Sequence, residues 1–213
     1  MIELCNVSIQ RGMFHLKNIS MKIDQGGLHL LTGETGAGKT SIVEAICGLQ
    51  PIESGKINLR GVDVTEASPA VRSIGYLPQD VALFDHLKVR ENLKFSCQAR
   101  KWKTEKVRDR VESLAQSLGL AELLDRYPSD LSGGQKHIVA FGRALAFEPN
   151  LVCLDEPFVA LDPQTRETMI DWFRAYVEEN DVTVLAVTHQ PQWLESLAKT
   201  RWNIDQQGNL ISD

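Results

Sequence analysis

The sequence has little of what a membrane-spanning, secreted or nucleic-acid-binding chain needs. Its longest apolar stretches, such as residues 182–187, are far shorter than the roughly 20 residues that cross a bilayer as a helix. Its start, Met1-Ile2-Glu3-Leu4, has no basic region followed by an apolar one, so no signal peptide is expected. Basic charge is not in excess. A formal net charge of -5 argues against a partner nucleic acid held by a cationic face. Cysteine is sparse, and Cys5, Cys47, Cys97 and Cys153 contain no pair with zinc-ligand or redox-motif spacing. Cys47 and Cys153 lie in apolar contexts and are expected to pack as small hydrophobes. Together these absences point to a reduced, cytosolic protein. No internal repeat and no low-complexity segment interrupts the chain.

What remains is an ordinary globular composition, 43% hydrophobic and 24% charged, in 213 residues. That length suits one large domain, or a domain with a subdomain. Residues 2–8 and 16–23 alternate in the manner of strands, and Gln25-Gly26-Gly27 reads as a turn. Residues 28–32 form an apolar run that leads into a glycine-rich loop. Residues 40–49 then read as a helix with Ile42, Val43 and Ile46 on one face. Residues 55–60 and 74–77 are further strand candidates. Between about 89 and 124 the pattern is helical, with Val107, Val111, Leu114 and Leu118 at three- and four-residue steps. Strand and helix then alternate again, at 151–154, 163–177 and 182–187, with Pro163 in a first helical turn. Such alternation predicts an α/β fold with a parallel sheet flanked by helices.

Three short segments carry chemistry. Gly33-Glu34-Thr35-Gly36-Ala37-Gly38-Lys39-Thr40 is a full G-x-x-x-x-G-K-[ST] loop between a strand and a helix. Its glycines let backbone amides curl around phosphates, and the helix start adds its positive end. Lys39 can reach the terminal phosphates of a nucleoside triphosphate, and Thr40 can offer its hydroxyl to Mg²⁺. Leu151-Val152-Cys153-Leu154-Asp155-Glu156-Pro157 is an apolar strand ending in adjacent carboxylates. Asp155 is placed to hold Mg²⁺ or its waters, and Glu156 to take a proton from an attacking water. Without the upstream loop, such a pair would read as a solvated turn. Leu131-Ser132-Gly133-Gly134-Gln135 opens a helix expected over residues 135–147. Ser132 suits an N-cap there, and the glycines leave amides uncovered, which makes a second anion site.

With these segments in this order, the chain resembles the ATP-binding subunit of ABC transporters over nearly its whole length. Three further segments agree. Gln79, in Tyr76-Leu77-Pro78-Gln79-Asp80, resembles the family glutamine that touches Mg²⁺ and the water. Ala160-Leu161-Asp162 resembles a loop that crosses the dimer interface, and His189 resembles the histidine that contacts the γ-phosphate. The resemblance implies a P-loop NTPase core with a mainly parallel sheet, an N-terminal antiparallel β subdomain and an inserted helical subdomain. On that reading 1–213 is a single ABC ATP-binding domain. Residues 1–78 and 149–213 form the core with its β subdomain, and 79–148 the helical subdomain.

The resemblance also implies ATP and Mg²⁺ as cofactors, and a catalytic set of Glu156, His189 and Gln79. Thr40, Gln79 and Asp155 would serve the metal. Nucleotide contacts would come from residues 33–40 of one subunit and Ser132, Gly133, Gly134 and Gln135 of another. It further implies head-to-tail pairing with a second copy or a paralogous ATPase subunit, and transmembrane permease subunits as partners. Import, with an external solute-binding protein, is suggested by the wording of residues 82–92, which is similar to importers of inorganic anions, polyamines or sugars. The chain would then sit peripherally on the cytoplasmic face of the membrane, with Leu83, Phe84, His86 and Leu87 as docking candidates. Three positions depart from the family. Arg11 stands where an aromatic residue often stacks on adenine, which leaves Arg11 or Phe14 for that contact. The helix after Gln135 has less arginine than usual, although Arg143 keeps its place. Val159 replaces a usual serine. The competing reading is a soluble ABC ATPase acting on nucleic acid or ribosomes. Such proteins usually fuse two cassettes or insert long coiled coils, which this acidic chain does not do.

Overall fold

The computed structural model describes residues 1–212. A hairpin of β1 (Ile2–Arg11) and β2 (Phe14–Ile23) comes first. Strand β3 (Gly27–Gly33) then runs through the glycine loop into helix α1 (Lys39–Cys47). Strands β4 (Ser54–Leu59) and β5 (Val62–Asp63), a one-turn helix α2 (Pro69–Arg72) and β6 (Gly75–Leu77) follow. Three helices come next: α3 (Val89–Ala99), α4 (Thr104–Ser117) and α5 (Gly133–Leu145). Strand β7 (Leu151–Asp155), the long helix α6 (Pro163–Asn180) and strands β8 (Thr183–Val187), β9 (Ala198–Ile204) and β10 (Leu210–Ser212) complete the order.

The strands form two sheets. One has the order β2-β1-β4-β5 and is antiparallel throughout. The other has the order β10-β9-β3-β8-β7-β6 and is parallel except at its β10 edge. The central strands β3, β7 and β8 alternate which core they face. Leu30, Val152, Leu154, Val184 and Ala186 pack with helices α3 to α6. Leu31, Leu151, Cys153, Leu185 and Val187 pack with α1 and the antiparallel sheet. Strands covered on both faces read as continuous apolar runs, which is why 151–154 and 182–187 stood out in the sequence. The expected face of α4 is buried as a unit: Val107, Val111 and Leu114, with Leu118 just beyond the helix end.

Several boundaries differ from the sequence reading. Strands β1 and β2 reach further toward each other, because Ile9 and Leu16 extend the buried row and pair across the hairpin. Helix α5 begins at Gly133 rather than residue 135, because Ser132 and Gln135 cap each other and draw both glycines into the first turn. Helix α6 continues to Asn180. The helical block divides after Ala99, where Lys101 takes a left-handed conformation at φ 57°. The short α2, strand β9 and the edge strand β10 had no legible periodicity. Cys47 and Cys153 are buried free thiols, as expected.

Candidate functional site

Parallel pairing gathers the chemistry at one sheet edge. Leu31 lies opposite Val187, Val187 opposite Asp155, and Leu154 opposite Leu77. The segments that follow these residues therefore leave the sheet side by side, at the edge where open α/β sheets bind ligands. They meet around a cavity of about 300 Å³. Thr35, Gly36, Gly38, Lys39 and Thr40 line it from the glycine loop, and Gln79, Asp155, Glu156 and His189 from the other strand ends. Arg11 and Phe14 close it on the hairpin side.

The loop geometry depends on glycine at its two ends. Gly38 is the left-handed N-cap of α1 at φ 96°. A Cβ there would lie 2.8 Å from the Phe14 ring and 2.7 Å from Leu16. At Gly33 a Cβ would meet the Ile204 carbonyl at 2.3 Å. Lys39 curls back over the loop, and its Nζ donates to the Gly33 and Glu34 carbonyls, each at 2.8 Å. Burial lowers the Lys39 pKa, opposed by the nearby Glu156 and Asp155 carboxylates. The amine is thus held against backbone oxygens inside a site built for anions.

Two carboxylates at the end of β7 have different surroundings. Asp155 is buried and accepts a hydrogen bond from the Thr40 hydroxyl at 2.6 Å. Burial pushes its pKa up, and the Thr40 bond works the other way. A desolvated carboxylate beside a hydroxyl, with the Gln79 amide lining the same cavity, is an all-oxygen donor set that fits Mg²⁺. Glu156 has a left-handed backbone at φ 53°, a conformation that costs about 1–3 kcal/mol in a non-glycine residue. Its side chain is held on both oxygens. Oε1 accepts from the His189 amide at 3.0 Å and from His189 Nδ1 at 2.6 Å. Oε2 accepts from the Thr188 hydroxyl at 3.0 Å. Because a carboxylate oxygen accepts, His189 carries its proton on Nδ1, which leaves Nε2 facing the Gln190 amide at 3.2 Å. Thr188 was missed from the sequence; its place beside His189 was the available sign.

The other predicted residues lie in distinct places. Gly33 and Glu34 line an adjoining cleft of about 720 Å³, together with Thr188, His189 and Gln206. The Glu34 carboxylate accepts there from the Gln206 amide. Ala37 is buried beneath the loop. Arg11 is engaged by Glu44 of α1 at 2.8 Å, while Phe14 packs against Gly38. Ser132, Gly133, Gly134 and Gln135 do not line the cavity that holds Lys39. They form a reciprocal cap: Gln135 N–H donates to Ser132 Oγ at 3.2 Å, and Ser132 N–H to Gln135 Oε1 at 3.0 Å. A Cβ at Gly133 would meet nothing within 4 Å, so this turn is open. After Gln79 the chain passes through left-handed Val81 and Ala82, whose carbonyls accept from Arg143 of α5 at 3.2 and 2.8 Å. Leu83, Phe84 and Leu87 are half-buried there and His86 is exposed. Val159 is exposed.

Comparison with known proteins agrees with this fold. The family described as ABC transporter matches residues 16–159. The sulfate/thiosulfate import ATP-binding protein CysA of Synechococcus elongatus is 44% identical over 90% of this chain and 56% of its own length. The molybdate/tungstate import ATP-binding protein WtpC of Thermococcus kodakarensis is 40% identical over 83% of this chain and 53% of its own. The chain therefore spans about half the length of these curated relatives. Among solved structures, the dimeric bacterial ABC transporter cassette MJ0796 superposes with a TM-score of 0.89 at 26% identity, covering 97% of this chain and 95% of that one. The same cassette in a post-hydrolysis state bound to ADP and Pi gives 0.89 at 25% identity, over 99% and 98%. By its sequence, its two sheets and the order of its motifs, the chain belongs to the ABC transporter family.

Proposed function

We propose that this chain binds ATP with Mg²⁺ and hydrolyses it as the peripheral energy-coupling subunit of an importer. The observation that carries this reading is the meeting of Lys39, Thr40, Gln79, Asp155, Glu156 and His189 around one cavity, with the capped Ser132–Gln135 turn outside it. Backbone amides of residues 33–40 and Lys39 would hold the phosphates. Thr40, Gln79 and Asp155 would hold Mg²⁺, which neutralises phosphate charge when bound. Glu156 is the general base: its Oε2, with one hydroxyl partner, keeps a lone pair for the proton of the attacking water. His189 orients Glu156 through Nδ1, and its Nε2, once protonated and freed from the Gln190 amide, would donate to the γ-phosphate. Phe14, rather than the engaged Arg11, supplies the platform for the base.

Because the Ser132–Gln135 turn does not line its own subunit's cavity, it would complete the nucleotide site of a second copy or a paralogous subunit, head to tail. That arrangement agrees with the dimeric form of the structural relative. Segment 79–148 is read as the helical unit that passes closure to transmembrane permease subunits. The half-buried Leu83, Phe84 and Leu87, with exposed His86, are the docking candidates. Between α3 and α4 lies a groove of about 380 Å³ with Arg90, Lys94, Trp102 and Arg108 on its walls, which suits an acidic, amphipathic partner helix. No helix among the described residues is long and apolar enough to cross a membrane. Attachment to the cytoplasmic face would therefore run through the permease. The named activities of the relatives support an inorganic oxyanion as cargo, and an external solute-binding protein would deliver it. The test is co-expression with the permease subunits in membrane vesicles. Mg-ATP turnover that rises when loaded solute-binding protein is added supports the reading. Turnover that permease and loaded solute-binding protein leave unchanged, or that RNA or ribosomes stimulate, would sink it.

A further inference from the structure

Helix α5 touches both halves of the machinery. Its first turn carries Ser132 to Gln135, and two residues later His137 turns inward to the segment that follows Glu156. His137 is almost fully buried, at 1% exposure, and its Nε2 lies 2.6 Å from the Pro157 carbonyl. A carbonyl only accepts, so Nε2 carries the proton and His137 is the donor. Its Nδ1 has no partner, so a second ring proton would be stranded there. The ring is therefore neutral and in one tautomer. Two further contacts run the same way. Phe141 packs on Phe158 with ring centroids 5.9 Å apart, and a Cβ on Gly134 would stand 3.5 Å from the Ala160 carbonyl. A shift of the first two turns of α5 thus carries residues 156–161 with it.

We infer that His137 is a positioning residue that links the two nucleotide sites of a dimer, by fixing the peptide after Glu156 to the helix that bears Ser132–Gln135. The inference rests on the head-to-tail reading. In that arrangement Glu156 serves the ATP of its own subunit, while Ser132–Gln135 serves the ATP of the other. His137 joins them through a short buried hydrogen bond. Movement of α5 on the partner's nucleotide would then set where Glu156 points. A merely structural histidine would satisfy the Pro157 carbonyl and stabilise the fold, without coupling one site to the other.

The test compares His137→Gln, whose amide can still donate to the Pro157 carbonyl, with His137→Met, of similar length and no donor. Both are made in the full chain. His137→Met should bind ATP within about twofold of wild type, lose about tenfold or more in kcat through misplacement of Glu156, and show a Hill coefficient near one for ATP. His137→Gln should restore rate and cooperativity. Hydrogen exchange without nucleotide gives a second reading. The amides of Val159 and Leu161, bonded to Glu156 O and Phe158 O, should exchange faster in His137→Met and not in His137→Gln. If His137→Met does not fold, His137→Asn, whose shorter amide stops short of Pro157, takes its place. Wild-type cooperativity and exchange in the donor-less variant would overturn the inference, and so would equal damage in His137→Gln. A chain that stays monomeric in sedimentation with Mg-ATP, as wild type and as Glu156→Gln, would remove the head-to-tail reading itself, while the exchange comparison still decides whether His137 holds the loop.

Discussion

Replacing Glu156 by Gln separates chemistry from structure at this site. The carboxylate accepts three hydrogen bonds, two at Oε1 from His189 and one at Oε2 from Thr188. A glutamine can keep its carbonyl toward His189 and turn its amide toward the Thr188 hydroxyl. That hydroxyl already accepts from the Gln190 amide at 3.0 Å, and it has a second lone pair for the new donor. Each hydrogen bond is therefore exchanged rather than lost, and the fold should change by less than about 1 kcal/mol. ATP affinity should stay near wild type, because Lys39 and the loop amides are untouched. What disappears is the proton acceptor. Loss of a positioned general base costs about 10²- to 10⁴-fold in rate, which is about 3 to 5 kcal/mol of barrier. Phosphate release would measure the rate and calorimetry the affinity. Sedimentation with Mg-ATP should find a trapped dimer, because the closed state no longer reopens by hydrolysis. A kcat within tenfold of wild type would remove Glu156 as the base, and monomer alone with Mg-ATP would count against head-to-tail closure.

Asp155→Asn should stabilise the chain without nucleotide. The native carboxylate is buried with a raised pKa, and Asn keeps the Thr40 bond without the charge. A gain near 1 kcal/mol would raise Tm by about 2–4 °C in a chain of this size, while Mg-ATP should no longer stabilise it further; a lower Tm would refute the account. His29 and His137 are both held below their usual pKa by burial. The unfolded chain then binds protons that the folded chain refuses. Stability should be full above the ordinary histidine value of about 6.5 and fall as the pH drops below it. Urea melts at either side of that value check this, and a flat profile would contradict it. Phe14→Ala should weaken ATP binding about tenfold or more, in line with the worth of a stacked base. Arg11→Ala should cost little, since an exposed ion pair with Glu44 is worth about 0–1 kcal/mol. Titration calorimetry decides, and the reverse order would return Arg11 to the base contact.

The sequence alone determined what is local. The glycine loop, the apolar strand ending in Asp155-Glu156, the Ser132 cap and the face of α4 are each written in a few neighbouring residues, because phosphate cradles, buried strands and caps are short-range devices. The α/β class was legible for the same reason, since strands covered on both faces and amphipathic helices have different periods. Strands β9 and β10 were not, because the mixed burial of β9 and the three residues of the edge strand β10 carry no such period. Contacts between segments far apart in the chain were decided only by the tertiary structure. Thr188 on Glu156, Glu44 on Arg11, Arg143 on the Val81 and Ala82 carbonyls, and His137 on Pro157 all arise where parallel strands and packed helices bring distant residues within hydrogen-bond reach. None of these pairings has a pattern in the sequence. Tertiary packing also left the Ser132–Gln135 turn outside the cavity that holds Lys39. The turn packs instead on the segment after Glu156, which is why the proposed site calls on the turn of a second subunit.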